Sequence, residues 1–128
     1  LTNSVQCQIS GKIVKDAADG ENSLYINAVL TQTNDFIPVK AEADYMLHFY
    51  QKGHAAYAYV VFYGANGKVV PEPNVNFYWC RPAKDWTFRS FRGRVPVGAV
   101  KCKIMLRTFE KAPDKGAYLD NIEFFTAE

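Results

Sequence analysis

The sequence predicts an all-β fold, an antiparallel β-sandwich. Apolar residues recur at alternate positions in one segment after another, turn-forming Gly, Pro, Asn and Asp separate those segments, and no stretch has a convincing helical period. Successive side chains of a strand point to opposite faces, so this alternation is what a half-buried strand needs.

In chain order, "SVQCQISGKIV" (4–14) alternates, "DAADGENS" (16–23) is a loop rich in Asp, Asn and Gly, and "SLYINAVL" (23–30) is a strand. "TNDFIPVKAEAD" (33–44) mixes loop and short strand. "YMLHFYQK" (45–52) and "AYAYVVFY" (56–63) are two strong strands separated by Gly53 and His54. "GANGK" (64–68) carries the Asn66-Gly67 pair that closes hairpins. "VVPEPNVNFYWCRPAKD" (69–85) holds three of the six prolines and reads as a long irregular connection. "WTFRSFRGRVPVG" (86–98) and "AVKCKIMLRTF" (99–109) are strands, "EKAPDKG" (110–116) is a turn, and "GAYLDNIEFF" (116–125) is the last strand.

A chain of 128 residues with 48% hydrophobic and 15% aromatic content fits one domain with one core, spanning residues 1–128. The net charge of +2 is mild and the basic residues are spread among aromatics, so no nucleic-acid footprint is expected. No apolar run approaches the roughly 20 residues of a membrane helix, and no membrane partner is expected. Opening at Leu1, the chain reads as a module excised from something larger. Cys7, Cys80 and Cys102 have no metal-ligand spacing and are expected to be small buried hydrophobes.

The strand faces carry the functional expectation. Tyr45, Leu47 and Phe49 are expected in the core, with Met46, His48, Tyr50 and Lys52 opposite. Val100, Cys102, Ile104 and Leu106 are set against Lys101, Lys103, Met105 and Arg107, and Ala56, Ala58, Val60 and Phe62 against Tyr57, Tyr59, Val61 and Tyr63. Pooling the outward sets predicts a platform of Tyr57, Tyr59 and Tyr63 fringed by His48, Tyr50, Lys101, Lys103 and Arg107. Trp79 and Arg81 would stand as a groove wall on the long connection, with Trp86 near them. For any one ring, a cross-strand pair is as good a reading as ligand contact, and Trp86 fits better as an anchor. Exposed rings in a row mark binding, and sugar rings stack on them while basic side chains take hydroxyls or carboxylates. The cationic fringe favours acidic glycans.

One residue resists the pattern. Simple alternation puts Tyr118, Asp120, Ile122 and Phe124 on one face, so Asp120 would point into the core. A carboxylate there costs several kcal/mol unless a cation or backbone N–H groups compensate it.

The order "DGENSLYI", "YMLHFYQKG", "VVFYGANGKVV", "RVPVGAVKCKIML" and "GAYLDNIEFF" resembles the calcium-containing jelly-roll carbohydrate-binding modules of galactose-binding-like fold, over about Asp16 to Phe125. Such modules are often appended to xylanases, glucanases and polysaccharide lyases. The resemblance implies a jelly roll and a non-catalytic binder of polysaccharide or oligosaccharide, tethered to a catalytic domain and acting outside the cell. It also implies a structural calcium on Asp120, with the loop around Asp19 and Gly20 adding carbonyl oxygens; Ca²⁺ takes about 6 to 8 oxygen ligands. Family members often add an acidic residue from an opening Asn-Gly-Phe-Glu-like segment, which "LTNSVQCQIS" lacks. Backbone N–H groups or a Lys remain the alternative partners of Asp120.

With two histidines and carboxylates mainly in loops and turns, no catalytic pair emerges, so the chain is not expected to be an enzyme. A protein-interaction module of the same architecture is the alternative, since one fold hosts both uses.

Overall fold

Alternation becomes strand along most of the chain. The computed structural model describes residues 3–6, 12–14, 23–26, 31–32, 35–71, 77–108 and 116–126, which hold eleven strands and no helix. They are β1 (Asn3–Gln6), β2 (Lys12–Val14), β3 (Ser23–Ile26), β4 (Thr31–Gln32), β5 (Ile37–Pro38), β6 (Asp44–Gly53), β7 (Ala56–Gly64), β8 (Phe77–Cys80), β9 (Ala83–Arg94), β10 (Ala99–Arg107) and β11 (Ala117–Thr126).

Two antiparallel sheets form a β-sandwich. The six-stranded sheet runs β2-β3-β11-β6-β9, with β1 beside the second half of β11, and the five-stranded sheet runs β4-β10-β7-β8, with β5 beside β10. The strong strands β6 and β7 are therefore not a hairpin. The chain changes sheet between them at Gly53, whose φ of +96° is open to glycine and whose hypothetical Cβ would lie 2.7 Å from the Gly116 carbonyl oxygen. The Asn66-Gly67 signal does close a turn: Gly67 sits at φ +79°, and the Gly64 N–H donates to the Lys68 carbonyl at 2.9 Å.

The core draws one face from each sheet. Tyr45, Leu47 and Phe49 of β6 meet Ala56, Ala58, Val60 and Phe62 of β7 together with Cys102, Ile104 and Leu106 of β10, all fully buried as the alternation predicts. Each large apolar side chain hidden this way contributes about 1.5–3 kcal/mol. Tyr45 reaches across the layers, with its ring 5.6 Å from Phe62 and its hydroxyl bonded to that of Tyr78. Burial and that bond push its phenol pKa upward. Cys80 is buried too, and desolvation pushes its thiol up to about 11.

A second buried polar device sits where the sheets join. Gln51 is fully buried; its Nε2 donates to the carbonyls of His54 and Arg81, and its Oε1 accepts from Arg89 Nε at 2.8 Å. Arg89 also donates to the Arg81 carbonyl at 2.9 Å, so this inward cation on β9 is satisfied in place.

Register shifts interrupt alternation at three places among the described residues, in β9 between Ala83 and Thr87, in β10 and in β11, and the last two overturn an expectation. In β10, Ala99 pairs with Gly64 and Lys101 with Tyr63, leaving Val100 as an extra residue that is exposed instead of in the core. In β11, Asp120 pairs with Tyr50 and Glu123 with His48, so one residue more stands on β11 than on β6. Asn121 adopts φ +51° at this step. Inward positions accordingly switch from Ala117 and Leu119 to Ile122, Phe124 and Thr126. Asp120 does not face the core: it is half-buried on the outer surface, and its Oδ1 accepts the Asn121 N–H at 2.8 Å. A backbone donor at the bulge is thus a partner of this carboxylate.

Candidate functional site

The outer face of the five-stranded sheet gathers most of the expected site. Across β8, β7 and β10, register sets Trp79 beside Tyr57 and Tyr57 beside Arg107; one step along, Phe77 stands beside Tyr59 and Tyr59 beside Met105. Val61 then faces Lys103, and Tyr63 faces Lys101. At about 3.3 Å per residue, Tyr57 and Tyr63 are roughly 20 Å apart, which makes a long track.

Trp79 and Phe77 are presented differently from expectation. The 69–85 segment is not irregular throughout: Phe77–Cys80 pairs with β7 as an edge strand, with Cys80 inward and Phe77 and Trp79 outward. Phe77 is 40% exposed and Trp79 50%, while Tyr57 and Tyr59 lie half-buried under Phe77 at centroid distances of 4.8 and 5.0 Å. The tyrosines form cross-strand pairs, and the rings best placed for a ligand belong to β8. Phe77 was missed because its strand is bounded by prolines; the unbroken aromatic run in "FYWC" was its only local signal.

At the other end, Phe36, 42% exposed and just ahead of β5, stands edge-on to Tyr63 at 5.0 Å. The ammonium groups of Lys101 and Lys103 lie over its ring at 4.1 and 4.7 Å from the centroid. None of the outward positions of β7, β8 and β10 carries a carboxylate.

His48 and Tyr50 do not join this face. β6 belongs to the six-stranded sheet, so they sit on the opposite outer surface, where His48 lies between Phe88 and Phe125 at 4.9 and 4.8 Å and Tyr50 meets Phe88 at 5.3 Å. Desolvation by these rings, and then Arg92, lower the His48 pKa, while Glu123 opposes the shift. Trp86 is on that side too, half-buried, with Lys52 Nζ 5.5 Å from its ring. Arg81 is exposed between β8 and β9, and the part it plays in the described contacts is that of its carbonyl, which takes bonds from Gln51 and Arg89.

Of the expected metal ligands, Asp19 and Gly20 lie outside the described residues. Among the described residues no three His, Cys, Asp or Glu side chains gather as a metal cluster. The strand register bears on Asp120 all the same: one step beyond the Leu119–Leu24 pair come Asp120 on β11 and Ser23, the first residue of β3. The Ser23 Oγ is buried and without a hydrogen-bond partner among the described residues.

A cleft near the ends of β6 and β9 is lined by Glu42, Asp44, Tyr45, Arg92 and Arg94, and Tyr78 of β8 reaches it, its hydroxyl bonded to that of Tyr45 and donating to the Arg92 carbonyl at 3.3 Å. Its Asp44 and Arg94 are both exposed and approach only to 3.9 Å, a weak surface pair.

No protein-family model and no curated protein sequence matches the chain. Solved structures do. A family 16 carbohydrate-binding module is similar with a TM-score of 0.61 at 18% identity, over 93% of this chain and 86% of that one. The chain has the fold of a carbohydrate-binding module. The CBM22-1 xylan-binding domain of Paenibacillus barcinonensis Xyn10C is similar at a TM-score of 0.59 and 13% identity, over 94% of this chain and 83% of its own. The enzymatically active domain of tailspike protein 4 from bacteriophage CBA120 is similar at a TM-score of 0.65 and 16% identity; there this chain is covered over 96% but spans only 19% of the other. At such identities the likeness is one of fold, the jelly-roll β-sandwich of these modules.

Proposed function

We propose that this module-like domain is a non-catalytic binder of polysaccharide, and that the ligand lies along the outer face of β10, β7 and β8. The observation that carries the reading is the pair of exposed rings, Phe77 and Trp79, on an edge strand beside tyrosines and a row of cations. Flat apolar rings receive the C–H faces of sugars, while Lys103, Arg107 and the tyrosine hydroxyls bond the polar rim. Water competes for every hydroxyl on so open a surface, so affinity is modest. That one similar structure is named as xylan-binding supports the class of ligand, not the particular sugar.

Two further elements belong to the same proposal. The domain is part of a larger extracellular glycan-degrading protein, a reading supported by the small share of the tailspike chain it spans. A structural calcium is held by Asp120 with Asp19 and Gly20, a reading supported by the buried Ser23 hydroxyl, which has no partner among the described residues and stands one step beyond Leu24 towards Asp120 in the strand register; Ca²⁺ binds oxygen ligands.

The test is a glycan array on the domain and on Trp79→Ala, run in calcium and in chelator, with thermal unfolding measured in both. We expect binding to one glycan class that Trp79→Ala abolishes, and a lower midpoint in chelator. Silence across neutral and acidic glycans with the fold intact would overturn the reading in favour of a protein partner, and equal midpoints would remove the calcium.

A further inference from the structure

The two ends of the track differ in chemistry. Around Trp79 and Phe77 the surface is mainly aromatic, with Met105 beside Tyr59 and one cation, Arg107, beside Tyr57. Around Phe36 two ammonium groups converge on one ring, so Lys101 and Lys103 can be no farther apart than the sum of their two distances to its centroid.

That convergence is built by the backbone. The bulge at Val100 changes the phase of β10, so that Ala99 packs inward while Lys101 and Lys103 both stay outward. β5 pairs with β10 through Lys101–Pro38 and Cys102–Ile37, which brings Phe36 alongside the two lysines. Neither lysine has an ion pair with a carboxylate among the described residues, and no outward position of β7, β8 or β10 supplies one. Two like charges held over one ring repel each other, and contact with the ring face offsets only part of that. An anion seated between them would turn the repulsion into two charge-assisted hydrogen bonds.

We propose that the Phe36, Tyr63, Lys101 and Lys103 end of the track is a subsite for the anionic group of an acidic sugar unit, a carboxylate or a sulfate. This inference rests on the reading of the face as a glycan-binding surface and adds the charge of the ligand and its direction. Lys101 and Lys103 hold the anion, and Phe36 and Tyr63 wall the sugar that bears it. The Trp79 row lies roughly 13–20 Å away along the strands, from the Lys103 row and the Lys101 row in turn, so one sugar cannot reach both ends. The ligand is therefore an oligosaccharide laid in a single direction, with its acidic unit at the β5 end.

Calorimetric titration at low salt tests this with three probes: an oligogalacturonate of about six units, the same oligomer with its carboxyl groups reduced, and a sulfated oligosaccharide of similar length. The proteins are wild type, the Lys101→Ala/Lys103→Ala double variant and Trp79→Ala. Both lysines are on the surface, and circular dichroism checks the fold. We expect wild type to bind one of the two anionic probes at least tenfold more tightly than the reduced oligomer, and to lose most of that preference at high salt. Which anionic probe wins separates carboxylate from sulfate recognition. The double variant should bind the preferred probe no better than the reduced one, while Trp79→Ala should weaken both. Equal affinity of wild type for acidic and reduced oligomers, or a preference retained by the double variant, overturns the anionic subsite while leaving the glycan-binding face intact. If wild type binds none of the probes and the array is silent as well, the reading of the face falls and the subsite falls with it.

Discussion

The two outer surfaces of the sandwich are both rich in aromatic rings, yet they differ in what surrounds those rings. On the six-stranded sheet the rings pack around His48, with Phe88 half exposed among them, and charges of both signs are interspersed: Lys52 between Trp86 and Tyr118, then Asp120, Glu123 and Arg92. On the five-stranded sheet the outward charges of β10 are all positive, and Phe36, Phe77 and Trp79 stand up from the face. The lesson is that ring count does not identify a binding surface. Rings set among charges of both signs belong to a balanced surface, whereas exposed rings beside Lys101 and Lys103, on strands β7, β8 and β10 that carry no carboxylate, are placed for a ligand.

The contrast can be broken most directly by emptying each surface in turn. Combining Phe77→Ala with Trp79→Ala should reduce affinity for the array's best glycan by well over tenfold, since each ring–sugar stack is worth on the order of 1 kcal/mol. Combining His48→Ala with Phe88→Ala should change it by less than about twofold. Calorimetry on the four proteins checks this, and an equal loss from both pairs would mean that the opposite surface also binds.

A smaller effect tests the corner that joins the surfaces. Gln51→Leu removes the acceptor of Arg89 and the donor to two carbonyls, so we expect a loss of about 2–3 kcal/mol in urea unfolding. Glycan affinity of the folded variant should stay near wild type, because the track lies outside this network.

The smallest effect sharpens the description of the six-stranded surface. The His48 pKa is below its ordinary value of 6.5 in the folded chain, so the unfolded state binds more protons in the window just below that pH. Its contribution to stability is complete above about pH 6.5 and is lost as the pH falls through the folded pKa. Urea midpoints measured from pH 7.5 to 5 should slope less for His48→Phe than for wild type, while glycan binding by the variant is unaltered.

What was legible in the sequence was whatever depends on a residue's immediate neighbours. The inward sets of β6 and β7 and the run from Cys102 to Leu106 in β10 are read directly from alternate apolar positions, because side chains of a strand must alternate. The outward tyrosines and lysines follow from the same rule. Asp120 and Val100 escaped it, because a single unpaired residue in a bulge reverses the phase and nothing in the local composition announces it. β8 was obscured by its flanking prolines, although an edge strand tolerates them.

Sheet membership was decided by tertiary structure alone. His48 and Tyr50 alternate as regularly as Tyr57 and Tyr59, and only the crossing at Gly53 separates them onto opposite sides of the molecule. The physical reason is that alternation is a property of one strand, whereas the surface a strand contributes to depends on its hydrogen-bonded neighbours, which are distant in sequence. By itself the sequence determined which side chains leave the core; the pairing of β10, β7 and β8 decided which of them meet.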